Sequence, residues 1–78
     1  MEESIKNILT QINEKGVINV NILQERFDIG YSKAALFMDK LIEENIIEDS
    51  QEKLKPILNK DKFFEEGMIF FAPLENNQ

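Results

Sequence analysis

The chain has 78 residues with no cysteine and no histidine, and nine basic against fifteen acidic residues leave a net charge of −6. These absences exclude disulfides, thiolate nucleophiles, cysteine or imidazole metal ligands, and any side chain whose ordinary pKa lies near neutrality. No apolar run approaches the roughly 20 residues needed to span a bilayer, and the start MEESIKN lacks a basic segment followed by an apolar one. A cytoplasmic chain with no membrane association is therefore expected, of a size for one domain with one small core.

In chain order, Ile5, Ile8, Leu9 and Ile12 fall at the i, i+3, i+4, i+7 spacing of an amphipathic helix. Ser4 is placed to cap its start and Gly16 to end it, predicting a helix near residues 4–15. Val17 and Ile18 form a short β-compatible stretch. Asn19 or Asn21 then caps a second helix near 20–27, carrying Ile22, Leu23 and Phe27. Asp28, Ile29 and Gly30 make a tight break, with Gly30 the residue free to take a positive φ. Ser32 reads as the N-cap of a third helix near 33–44, in which Ala34, Met38, Leu41 and Ile42 line one face and Asn45 closes the end.

Ile46 and Ile47, a polar stretch, and then Pro56, Ile57 and Leu58 predict a β-hairpin near 46–58, with Pro56 at a sheet edge or strand end. Three helices followed by a hairpin is the order of a winged helix-turn-helix: mainly α, with a small hairpin as the wing. Residues 1–60 form that domain, and Ile8, Ile12, Leu23, Phe27, Met38, Leu41 and Ile47 are its expected core.

Residues 61–78 form a C-terminal apolar extension. Four of the six phenylalanines, Phe63, Phe64, Phe70 and Phe71, lie there. The expected structure is a short helical turn ending at Gly67, then a strand over residues 68–72 stopped by Pro73, with the final ENNQ disordered. The cluster either folds back to complete a small core or forms a dimer or partner interface, and the second outcome is the expectation.

Residues 8–58, and above all FDIGYSKAALFMDKLIEENII at 27–47, resemble the gamma domain of the bacterial DNA translocase FtsK. That winged helix recognises orienting sequences on the chromosome. The string Ile29, Gly30, Tyr31, Ser32, Lys33, Ala34, Ala35 carries the likeness, with Phe37, Met38, Asp39, Ile46 and Ile47 following in place. The resemblance implies double-stranded DNA as partner and Ser32 and Lys33 as contacts. Members carry Asn at the place of Ser32, Arg at that of Lys33 and a second Arg at that of Leu36. Arginine grips guanine with two hydrogen bonds, whereas leucine touches only a thymine methyl. No GxxxxGK[ST] occurs, so these residues hold no nucleotide motor. Met1 and the added tail lean towards a stand-alone protein over an excised domain.

The acidic balance opposes DNA binding, because counter-ion release by basic residues supplies most non-specific affinity. Distribution softens this: residues 31–60 carry five positive and six negative charges, while residues 61–78 carry one and four. The candidate DNA contacts are Ser32, Lys33, Leu36 and Lys40 on the third helix, with Lys53 and Lys55 on the wing. The neighbouring acids Glu43 and Glu44, Glu48 and Asp49, and Glu65 and Glu66 read as solvated faces, so no catalytic residue, metal or cofactor is assigned. A small DNA-binding module is the expected function. The alternative is a winged-helix adaptor that binds a protein partner or a second copy of itself.

Overall fold

The computed structural model describes residues 3–75, which form four helices and one small antiparallel sheet around a single core. Helix α1 spans Ile5–Lys15. The Ser4 hydroxyl accepts from the Asn7 N–H at 3.1 Å, supplying one of the orphan donors of the first turn. Gly16, at φ 77°, closes the helix by donating to the Ile12 carbonyl, a left-handed cap that costs glycine little. The chain then extends into β1, Val17–Ile18, and Ile18 is wholly buried.

Asn19 is the cap of helix α2, Val20–Phe27, its side-chain oxygen accepting from the Ile22 N–H at 2.9 Å. The break that follows differs from expectation in one respect. The positive φ belongs to Asp28, at 54°, while Gly30 is an ordinary extended residue at φ −76°. Aspartate tolerates the left-handed region better than most residues, and here it ends α2 by donating to the Gln24 carbonyl. Gly30 serves as N-cap of α3, Tyr31–Glu43, without a side-chain cap bond. Ser32 is thus the second residue of the helix and not its cap. Ala34, Phe37, Met38 and Leu41 face inward, and Asn45 at φ 58° turns the chain out of the helix.

The expected hairpin is reduced. Strand β2, Lys55–Pro56, pairs with β1 in antiparallel register, Val17 opposite Pro56 and Ile18 opposite Lys55. On its other side it meets residues 46–48 through an isolated bridge between Ile47 and Ile57, with the Glu48 N–H donating to the Pro56 carbonyl at 2.9 Å. Pro56 thus lies between two neighbours and not at a sheet edge, as the last residue of β2; opposite it the Glu48 N–H donates and proline has no N–H to return.

The larger correction is the C-terminal segment. In place of a turn and a strand it forms one helix, α4, Lys60–Glu75. Phe63, Gly67 and Phe71 recur every four residues and are buried, which is helical periodicity. Asn59 starts the helix by accepting from the Lys62 N–H at 3.0 Å. Pro73 sits in the last turn, where its missing N–H forfeits a bond to the carbonyl of exposed Ile69. Glu75, expected to be disordered, is part of the helix, and residues 76–78 lie outside the described residues.

Helix α4 runs antiparallel to α1. The Glu75 carboxylate accepts from the Ile5 N–H at 2.9 Å, and at the other end Asn13 Nδ2 donates to the Lys60 carbonyl at 3.0 Å. Between these ends the two helices approach closely: a methyl group added at Gly67 would stand 2.5 Å from Leu9 Cδ2. Phe71 stacks on Phe27 of α2 with centroids 3.9 Å apart and meets Phe37 of α3 edge-on at 4.8 Å. Residues 61–75 therefore complete the core that α1–α3 begin. The seven residues expected in that core are all buried within it.

Candidate functional site: the outer face of α3 and the 49–54 loop

The buried set of α3 fixes which residues face outward. At about 100° per residue, Ser32, Leu36, Asp39 and Glu43 form the ridge opposite Ala34, Phe37, Met38 and Leu41. All four ridge residues are exposed, Leu36 at 61% despite its size. Tyr31, at the start of the helix, is 65% exposed.

The lysines lie to the sides of this ridge. Lys33 and Lys40 share one flank, two turns apart, and that flank borders α4. Lys40 Nζ lies 3.2 Å from Glu66 Oε1 and 3.8 Å from Glu44 Oε2, so its charge is already shared between two carboxylates. Lys33 is exposed and makes no ion pair among the described residues. On the opposite flank stands the 49–54 loop, separated from the start of α2 by a shallow hollow of about 270 Å³. Asn19, Asn21, Met38, Glu52, Lys53 and Lys55 contribute to its lining. Asn19 Nδ2 donates to the Lys53 carbonyl at 3.3 Å, tying the loop to the cap of α2. The Lys53 side chain is exposed, whereas Lys55 is half-buried and donates from Nζ to the Ser50 carbonyl.

Of the six residues expected at a DNA-binding face, Ser32, Lys33, Leu36, Lys40 and Lys53 are exposed and Lys55 is half-buried. Lys40 also pairs with Glu66 and Glu44, and Lys55 donates to the Ser50 carbonyl. By its helical angle Tyr31 begins the flank that faces the loop, where Asn19 and Asn21 line the hollow. Asn19 could be read from the sequence only as a helix cap, since its loop contact depends on the tertiary fold. Leu54, at the loop itself, is 44% exposed.

The four phenylalanines expected at an interface divide differently. Phe63 and Phe71 have no exposed surface, and Phe64 and Phe70 are half-buried against the core. The aromatic cluster is consumed within the chain because α4 turns its Phe63–Gly67–Phe71 edge onto α1 and α3.

Among the described residues no group of three histidine, cysteine, aspartate or glutamate side chains could hold a metal ion. No helix among the described residues is long and apolar enough to cross a membrane. Glu3 lies beside Gln11 of α1 and Arg26 of α2. Hydrogen bonds from Gln11 first and Arg26 second hold it below the ordinary glutamate value. No protein-family model, curated protein or solved structure matches the chain.

Proposed function

We propose that this chain is a winged helix-turn-helix module that binds double-stranded DNA and catalyses no reaction. The N-terminal half of α3 enters the major groove, and the 49–54 loop acts as the wing. The observation that carries this reading is the layout around α3. An exposed ridge is flanked on one side by Lys33 and on the other by Lys53. Such a layout sets base-reading groups between charges placed for the two phosphate backbones. The element order α1, β1, α2, α3, β2 supports the winged form, as does the resemblance of residues 27–47 to the FtsK gamma domain. Asp39 and Glu43 keep the C-terminal half of the helix away from phosphate, so docking is confined to its first two turns.

The testing experiment is duplex-DNA binding across a salt series. With Lys33 and Lys53 as the principal phosphate contacts, log K should fall against log[salt] with a slope of about −2, and Lys33→Ala or Lys53→Ala should each remove about one from it. Affinity that is independent of salt, or a slope unchanged in both variants, would refute the docking. A protein-binding reading of the same face is favoured by the exposure of Tyr31, Leu36 and Leu54 together with the net charge of −6. Failure to bind any duplex at low salt would favour it.

A further inference from the structure

We propose that Leu36 reads the C5-methyl group of thymine, so that the DNA this module prefers presents an A·T pair at the centre of the α3 footprint. The inference rests on the DNA-binding reading and names its substrate class.

The argument turns on what the ridge of α3 can and cannot recognise. Guanine is read in the major groove through O6 and N7, both acceptors, by a side chain offering two donors. The ridge residues Ser32, Leu36, Asp39 and Glu43 include no such side chain. Lys33 lies about a quarter turn round the helix from the ridge, on the flank it shares with Lys40, where it is placed for phosphate. Ser32 offers one hydroxyl that donates or accepts and so discriminates weakly.

Leu36 stands between these groups, 61% exposed and held by the rigid helix. Its only favourable partner on a base edge is another apolar group, and in the major groove of unmodified DNA that group is the thymine methyl. One turn further along, Asp39 is exposed on the same ridge. Its carboxylate repels phosphate and marks the end of the docked part of the helix, and it adds no choice between A·T and G·C, since both pairs present an amino group. The leucine therefore carries the preference for thymine.

The experiment compares 20-base-pair duplexes by fluorescence anisotropy with the full chain at low salt. One duplex is alternating d(AT), a second replaces every thymine by deoxyuridine, and a third is alternating d(GC). Uracil pairs as thymine does but lacks the methyl. Burying one methyl against Leu36 predicts about fourfold tighter binding to the thymine duplex than to either methyl-free duplex, uracil or d(GC). Leu36→Ala, at an exposed position outside the core, should abolish the thymine-over-uracil preference while leaving Lys33→Ala to weaken all three duplexes alike. Equal binding to thymine and uracil duplexes, or a preference that survives in Leu36→Ala, would overturn this inference and leave the DNA-binding reading standing. Absence of binding to all three duplexes would overturn that reading, and this inference with it.

Discussion

Phe71→Ala tests whether α4 belongs to the core or is an appendage. Phe71 has no exposed surface, stacks at 3.9 Å on Phe27 and meets Phe37 at 4.8 Å, so truncation removes contacts to two other helices at once. Phenylalanine-to-alanine changes in a core cost about 3–5 kcal/mol, from lost transfer energy and the cavity left behind. Stacked and edge-on ring pairs add about 0.5–1.5 kcal/mol each beyond area burial, which puts Phe71 towards the upper end. A domain of this length has a total stability of about 4–12 kcal/mol. The variant should therefore lose about a third of its stability at least, and its melting temperature should fall by about 12 °C or more. Urea and thermal unfolding followed by far-UV circular dichroism would measure this. Ile69→Ala is the matched control on the same helix. At 66% exposure its side chain should contribute within about 0.5 kcal/mol. If Phe71→Ala unfolded within about 1 kcal/mol of the parent, the packing of α4 against α2 and α3 described above would be wrong.

Two smaller perturbations probe other joints. Asn19→Ala removes the cap of α2 and the tether to the Lys53 carbonyl. It should cost about 1 kcal/mol in urea unfolding and also raise hydrogen exchange in the 49–54 loop, which loss of a cap alone would not do. Glu3 has a folded pKa below its unfolded value, through Gln11 and then Arg26. Its contribution is present above the unfolded pKa and disappears as pH falls through the lower folded one. Glu3→Gln should therefore flatten the acid side of the stability–pH curve slightly and leave the neutral and alkaline side parallel to the parent. An unchanged acid limb would count against the Glu3 contacts.

The helices α1 and α2 were legible because their signals are local: Ser4, Gly16 and Asn19 act within one turn of where they stand in sequence. The same locality made the outward set of α3 readable, since an inward stripe of Ala34, Met38 and Leu41 leaves Ser32 and Leu36 on the other side. Helix α4 was hidden by its doublets. Phe63–Phe64 and Phe70–Phe71 read as apolar pairs and mask the four-residue period that Phe63, Gly67 and Phe71 share. Gly67 reads as a break, and it is in fact the point where Leu9 of α1 needs room. The pairing of β1 with β2 could not be read, because each strand is two residues long and their partnership spans the intervening helices. The pairing of Lys40 with Glu66 is tertiary in the same sense, so a lysine expected at a DNA-contacting face also meets α4.

The hydrogen bond from the Ile5 N–H to the Glu75 carboxylate joins positions 70 residues apart. A helical domain of this size would ordinarily assemble from neighbours in sequence, but here the first helix packs along the last. During synthesis, at about 5–20 residues per second, Leu9 and Phe27 remain without their covering partners until α4 has emerged. The closing event is a long-loop docking whose entropy is lost before its contacts form. Within these residues α1 thus gains its contacts with α4 only once the whole stretch between them is in place.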